Sequence, residues 1–195
     1  MSIQSNLAES RAPYWKVPIA RAIPALLVAV IVTFTSNHSR QVGLTVFGAY
    51  ASFSGLIIAA LSILLLADKP AQRLFVAQGA IGLIVGVGAL IFADGGIAFL
   101  LYLMTIYAAI TGFLELYSGL RARGSMLAKD WIAVGGFTAL LAIVFLIIPP
   151  DLVLAIGLFG VYAVIVGVYL VIAGFSLKWS PQPSFSAPST RETMS

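Results

Sequence analysis

Cysteine is absent from this chain of 195 residues, and histidine occurs once, at His38. The sequence therefore excludes disulfides, thiolate metal sites, a cysteine nucleophile and a histidine metal cluster. Charged residues are also scarce: they make up 9% of the chain, whereas apolar residues make up 61%. Ordinary soluble domains carry about 25% charged and about 45–50% apolar residues. So few charges cannot cover so much apolar surface in water, and we expect the solvent of this protein to be largely lipid.

Sequence motifs of catalysis are missing as well. The chain has no Gly-x-x-x-x-Gly-Lys-Ser/Thr loop, no His-Glu-x-x-His pair and no nucleophile elbow. No connection between its apolar segments is long enough to hold a separate soluble domain. Basic residues are spread over the segment ends rather than gathered on one face, which argues against nucleic acid as a partner. We therefore predict a protein that is not an enzyme and that binds no cofactor and no metal.

Six apolar segments reach the length that a membrane-spanning helix needs, roughly 20 residues. The sequence predicts an all-α membrane protein with six transmembrane helices, between a polar N-terminal segment at 1–16 and a tail of disordered composition at 179–195. No small-x-small cleavage site follows the first span, so we expect it to be retained rather than removed as a signal peptide. The predicted spans, within a membrane domain at 17–178, are Val17–Thr35, Val42–Ala67, Leu74–Ala93, Ile97–Leu120, Trp131–Ile148 and Leu152–Leu177.

Lysine and arginine predict the orientation of these spans, because cytoplasmic loops carry an excess of both. Arg40 is the single basic residue at one set of helix ends, and the other ten lie toward the opposite set. We therefore predict a multi-pass protein of the bacterial plasma (inner) membrane with both termini in the cytoplasm. His38 lies in an outer loop beside Arg40, and it is either a polar loop residue or a sensor of external acid.

The pattern Tyr-Ala-x-x-x-Gly occurs three times, with its tyrosines 57 and 55 residues apart. A regular period of this size is typical of one structural unit used repeatedly. We predict three tandem helical hairpins in the same orientation, packed with pseudo-threefold symmetry, with repeats at about 17–69, 74–124 and 131–178. The motif lies on the second helix of each repeat, at Tyr50, Ala51 and Gly55, at Tyr107, Ala108 and Gly112, and at Tyr162, Ala163 and Gly167.

Alanine and glycine of the motif are four residues apart and therefore share one helix face. Small residues at this spacing let two helix backbones approach closely, which favours helix association in lipid. We interpret the motif as a helix-packing surface, which serves contacts within one chain or between the chains of a homo-oligomer. The alternative is that the three tyrosine hydroxyls converge on a polar site at the axis.

Two ionisable side chains fall inside the predicted spans, Arg21 and Glu115, and such residues are the default functional candidates in a membrane protein. Arg21 and Gln78 each lie 29 residues before the motif tyrosine of their repeat, so they occupy equivalent positions. We predict one polar layer of Arg21, Gln78 and Glu115 near the cytoplasmic face. Repeat three carries Val134 or Ala133 at this position.

Three interpretations of this layer stay open. In the first, Arg21 extends to the lipid headgroups while Glu115 pairs with Arg121 or Arg73. In the second, Arg21 and Glu115 form a buried pair, which lowers the cost of burying either charge. In the third, the layer responds to protons or conducts ions.

The three two-helix units, each with its tyrosine–small–glycine–hydrophobic signature, resemble the HdeD-type acid-resistance membrane proteins. The segments that carry the resemblance are Tyr50-Ala-Ser-Phe-Ser-Gly-Leu, Tyr107-Ala-Ala-Ile-Thr-Gly-Phe-Leu-Glu115 and Tyr162-Ala-Val-Ile-Val-Gly-Val. The resemblance covers roughly residues 17–178 and implies a bacterial inner-membrane protein linked to acid stress, with no catalytic residues to carry over. Two other functions stay open: a small channel or transporter with a path through the polar layer, and a scaffold subunit with a membrane-protein partner. In every case the lipid bilayer is the expected environment.

Overall fold

The computed structural model describes residues 15–35, 39–66, 68–122 and 126–179, with the side chains of residues 126 and 127 excepted. The described residues form six α-helices joined by short connections, and no strand occurs among them. His38, most of the predicted N-terminal segment and nearly all of the predicted tail lie outside this part of the chain. The helices are α1 Lys16–Phe34, α2 Arg40–Leu65, α3 Lys69–Ile91, α4 Ile97–Arg121, α5 Met126–Ile147 and α6 Leu152–Trp179.

A polar cap explains why α3 begins before the apolar pattern does. Asp68 Oδ2 accepts a hydrogen bond from the backbone N–H of Ala71 at 3.2 Å. Such a cap satisfies an N–H that helix geometry leaves without an intrahelical partner. Pro70 lies in the first turn, where its missing N–H costs nothing. The helix therefore begins at Lys69, five residues before the predicted start at Leu74.

Consecutive helices run in opposite directions. One end of the bundle has a pocket lined by Val17 from the start of α1, Leu66 from the end of α2 and Phe75 near the start of α3. The other end has a pocket lined by Thr35, just after α1, and by Val42 near the start of α2. We call the first of these the basic end, because it carries Lys16, Lys69, Arg73, Arg121, Lys129 and Lys178.

The closest helix pairs are not those within the predicted repeats. Helix α2 packs most extensively on α3, α4 on α5, and α6 on α1. Each motif helix therefore packs against the first helix of the next repeat, and α6 closes a ring by packing back on α1. The predicted hairpins α1–α2, α3–α4 and α5–α6 are in contact, but they are not confirmed as the close-packing units.

Small residues on both partners explain this pairing. A Cβ added at Gly55 of α2 would lie 2.6 Å from the carbonyl oxygen of Gly79 in α3. A Cβ added at Gly112 of α4 would lie 2.7 Å from the backbone nitrogen of Ala139 in α5. Backbones that approach this closely gain van der Waals contacts that lipid chains do not supply. The Ala-x-x-x-Gly face is thus a contact between repeats rather than within one.

The motif helices α2, α4 and α6 also line the centre of the bundle. Their buried residues recur at the same repeat positions, so the central side chains form stacked layers with one residue from each helix. Phe47 packs edge-on against Tyr107 and Phe159, at ring-centroid distances of 5.7 and 5.8 Å, so neighbouring layers interlock. Toward the basic end the layers are Leu44, Leu101 and Ile156; Phe47, Met104 and Phe159; Tyr50, Tyr107 and Tyr162; Ser54, Thr111 and Val166; and Ile58, Glu115 and Leu170.

The outer surface of the bundle is apolar. Large side chains such as Phe34, Leu64 and Leu146 are at least 75% exposed. All six helices are long and apolar enough to cross a membrane, as the sequence predicts. An apolar exterior around helices that satisfy their own backbone groups is typical of a multi-pass integral membrane protein.

Candidate functional site

A charged cluster lies inside the bundle, in the layer nearest the basic end. Oε1 of Glu115 on α4 accepts hydrogen bonds from two other helices. Arg21 Nη2 of α1 donates to it in an ion pair, and Gln78 Nε2 of α3 donates to it at 2.7 Å. Glu115 and Gln78 are each 2% exposed. The structure thus brings together the three residues of the predicted polar layer.

The ion pair establishes where Arg21 points. Its side chain is 11% exposed and its guanidinium turns into the bundle rather than toward the headgroups. Among the described residues, Glu115 pairs with Arg21 and not with Arg121 or Arg73. A lone buried charge is costly, whereas a hydrogen-bonded pair of opposite charges carries no net charge. The buried pair therefore accounts for the presence of both ions in an apolar bundle.

The threefold repeat is broken in this layer. Arg21 and Gln78 occupy one repeat position on α1 and α3, and Val134 takes that position on α5, where it lines the same cavity. On the central helices, the equivalents of Glu115 are Ile58 and Leu170, which are both buried and apolar. One acid and one base therefore meet, rather than a ring of like charges that would repel one another.

The three motif tyrosines are buried and line the same cavity as the polar layer. Tyr50 packs edge-on against Tyr107, with ring centroids 6.3 Å apart. The Tyr162 hydroxyl lies 2.8 Å from Thr138 Oγ1, which itself donates to the Val134 carbonyl at 2.7 Å. Tyr162 is therefore the donor to Thr138. The two interpretations of the motif thus describe different faces: alanine and glycine pack on the next repeat, and the tyrosines turn toward the axis.

A cavity of about 20 Å³ lies between these side chains, and a space of this size holds about one water molecule. Two oxygens of its lining residues, Glu115 Oε2 and Gln78 Oε1, are buried and have no hydrogen-bond partner among the described residues. Buried polar oxygens in proteins are nearly always hydrogen bonded. These two atoms are therefore the groups of the site that are available to a ligand.

The surroundings of the cavity differ between its two sides. Toward the basic end it shares Arg21 and Ile58 with a pocket of about 30 Å³ between α1, α2, α3 and α5. Toward the other end, the small cavities are lined mainly by apolar side chains, among them Phe47, Met104 and Phe159. Apolar constrictions of this kind exclude water and ions. The polar layer is therefore approached by polar groups from one end of the bundle only.

Thr138 belongs to the site although no sequence pattern indicates it. Its repeat equivalents are Ala25 and Gly82, so the position carries no shared polar character. Ser54 and Thr111 also line the cavity, and they occupy one repeat position, one turn after the motif tyrosine. That pair of hydroxyls is the signal in the sequence that points to the polar axis.

The layer offers hydrogen-bonding groups rather than a set of metal ligands. Within the described ranges, no three His, Asp or Glu side chains are grouped so that they could hold a metal ion. Glu115 contributes a single carboxylate, and Arg21 already balances its charge. Hard cations such as Ca²⁺ and Mg²⁺ are usually held by several oxygen ligands with negative charge in excess.

No protein-family model, no curated protein and no solved structure matches the chain. The fold and the site therefore define the class: a bundle of six membrane-spanning-length helices, arranged as a closed ring of three close pairs around a buried ion pair.

Removal of the Tyr162 hydroxyl is expected to lower the free energy of unfolding by about 0.5–1.5 kcal/mol, because Thr138 loses the hydrogen bond that it accepts. Thermal unfolding of Tyr162→Phe in detergent micelles measures this loss. Tyr117→Phe is the matched control, since Tyr117 is 44% exposed and the chemical change is the same. Equal losses in the two variants would contradict the assignment.

Proposed function

We propose that this protein is a non-catalytic component of the bacterial inner membrane, of HdeD type, that acts in the response of the cell envelope to acid stress. In this proposal both termini lie in the cytoplasm, because the basic end would then face the cytoplasmic side. The short connections between the six helices support a non-catalytic role, since they leave no room between spans for a soluble domain.

The observation that carries the proposal is the ion pair of Arg21 and Glu115 inside an otherwise apolar bundle. The pair joins α1 to α4, two helices that are not otherwise among the packed pairs. Addition of a proton to the carboxylate would replace an ion pair by a neutral acid beside an arginine, and so weaken the link between these helices. Acid can therefore act directly on the packing of the bundle.

A small channel or transporter is the second candidate, because the polar cavity adjoins the pocket at the basic end. Such a protein would need a polar path across the apolar layers of Phe47, Met104 and Phe159. Transporters built on inverted repeats also have an odd number of spans per repeat, whereas each repeat here has two. A third candidate is a scaffold subunit, which co-purification of a stoichiometric membrane-protein partner would support.

Survival of a deletion strain at low external pH tests the stress role. We expect lower survival than in the parent strain, with recovery when the wild-type gene is supplied and little recovery with Glu115→Gln. Survival of the deletion strain equal to that of the parent would contradict the acid-stress role.

Ion flux in liposomes separates the first two candidates. We expect vesicles that contain the purified protein to show no proton or cation flux above protein-free vesicles, for the wild type and for Glu115→Gln alike. Flux through the wild type that Glu115→Gln abolishes would establish a channel or transporter instead.

A further inference from the structure

The cavity beside Glu115 contains more acceptors than available donors. Thr138 donates its hydroxyl proton to the Val134 carbonyl, and Tyr162 donates to Thr138. Both protons are therefore directed away from the carboxylate. Glu115 Oε2 and Gln78 Oε1 still need donors, and no described side chain supplies one.

A water molecule is the ligand that these two oxygens fit. Water has two protons to donate, one for Glu115 Oε2 and one for Gln78 Oε1, and the cavity of about 20 Å³ holds about one such molecule. A cation fits less well. Arg21 already neutralises Glu115, and a further positive charge in a buried, neutral site within a membrane is costly.

We propose that this cavity is a hydrated proton-binding site, in which one water bridges Glu115 Oε2 and Gln78 Oε1 and delivers protons to Oε2 from the basic end of the bundle. The inference goes beyond the proposed function, because it holds whether or not the cell uses the protein in acid survival.

The route is the pocket at the basic end, which shares Arg21 and Ile58 with the cavity. A proton from the aqueous phase enters there and is passed to the bridging water. That water gives a proton to Glu115 Oε2, where an O–H bond forms, and it is left neutral. No other bond forms or breaks, and the net charge of the site rises from zero to plus one.

The groups that face Glu115 make it the proton acceptor. Arg21 on α1 is the one charged partner that the structure gives it, and it is already fully protonated at any ordinary pH. Tyr50 on α2, Tyr162 on α6 and Tyr107 on α4 itself face the cavity as neutral hydroxyls. Helices α3 and α5 contribute groups that do not titrate, namely Gln78, Val134 and Thr138.

Proton uptake has a structural consequence for Arg21. Once Glu115 is neutral, the guanidinium has lost its counter-charge in the bundle. Its side chain already borders the pocket at the basic end, and a long arginine side chain can extend its charged group toward water. We expect the guanidinium to turn toward that pocket when the site is protonated.

Solid-state NMR of the full chain in lipid bilayers tests both the water and the proton. Glutamate occurs only at Glu9, Glu115 and Glu192, so the Glu115 signal in a carboxyl-¹³C-labelled sample is identified by its loss in Glu115→Gln. We expect polarisation transfer from water to this carbon at neutral pH, and the chemical shift of a protonated acid after acidification. Absence of transfer, or a carboxylate signal that persists to the lowest pH at which the protein stays folded, would overturn the proposal.

The absence of cysteine allows a direct test of the route. Ile58→Cys places a thiol where the cavity meets the pocket, and Met104→Cys places one in the apolar layer. In vesicles of known orientation, an impermeant thiol reagent should label Ile58→Cys about tenfold faster or more from the basic end, because apolar constrictions exclude water from the other side. Met104→Cys should resist labelling from both sides.

Labelling of Ile58→Cys faster from the opposite end, or from neither end, would overturn the route. Ser62→Cys lies in the same pocket and takes the place of Ile58→Cys if thermal unfolding shows that the latter does not fold. Neither labelling outcome depends on a phenotype in cells, so failure of the acid-stress role leaves this test intact.

Discussion

Replacement of Arg21 by leucine is expected to lower the free energy of unfolding by about 3–5 kcal/mol. The substitution leaves the Glu115 carboxylate buried, at 2% exposed, with Gln78 as its remaining partner at 2.7 Å. An amide donates a hydrogen bond but does not balance a charge, so most of the cost of desolvating the carboxylate is uncompensated. Denaturant or thermal unfolding of the purified protein in detergent measures the loss at neutral pH.

The double variant Arg21→Leu with Glu115→Leu is the matched control. Apolar residues in place of both members of a buried ion pair are often neutral or stabilising, and the equivalents of Glu115 in the other repeats, Ile58 and Leu170, are already apolar. We expect the double variant to recover most of the stability that Arg21→Leu loses. A single variant as stable as the wild type, or a double variant no more stable than the single one, would contradict a buried pair.

Alanine at Gly135 is expected to lower the free energy of unfolding by about 1–3 kcal/mol, whereas alanine at the adjacent Gly136 is expected to raise it by about 0.5–1 kcal/mol. A Cβ at Gly135 would lie 2.6 Å from the backbone nitrogen of Leu116 and 3.0 Å from Cβ of Glu115, whereas one at Gly136 meets nothing within 4 Å. The two variants carry the same chemical change one residue apart in α5. Their unfolding midpoints therefore isolate the effect of the close contact between α4 and α5.

Shifts of the same sign and size for these two variants would contradict the close approach of α4 and α5. The contact also bears on the polar layer, because Gly135 packs directly against the residue that holds the carboxylate. We expect Gly135→Ala to displace Glu115 from Arg21, and Gly136→Ala to leave the pair unchanged. The carboxyl-¹³C signal of Glu115 reports the difference.

The polar layer is readable from the sequence because the repeat fixes its register. Arg21 and Gln78 share one position relative to the motif tyrosines, and the structure places both against Glu115. The third member of the position is less certain from the sequence. The outer helices of repeats two and three are offset by 56 residues, as Gln78 and Val134 show, whereas their tyrosines are offset by 55, so the tyrosine spacing leaves Val134 and Ala133 as equal choices.

The pairing of the helices is not readable in the same way. Ala-x-x-x-Gly marks a face on which a backbone can approach, but it does not say which neighbour does so. Both neighbours of α2 along the chain are within reach of short connections. The choice of α3 depends on the glycines that it presents in return, at Gly79, Gly82 and Gly86. Contacts between α1 and α6 join residues more than 100 positions apart, and no local pattern signals them.

Closure of the ring by α1 and α6 is the claim on which the whole arrangement depends, and a disulfide tests it most directly. A Cβ at Gly160 would lie 3.3 Å from Cβ of Val32, close to the separation of about 3.5–4.5 Å that a disulfide requires. In this cysteine-free chain, Val32→Cys with Gly160→Cys should oxidise to a bond within one chain, seen as a faster-migrating monomer that reductant reverses. Val32→Cys with Gly157→Cys should not, because a Cβ at Gly157 meets nothing within 4 Å. A monomer that stays reduced with the first pair, or that oxidises equally with both, would contradict the closed ring.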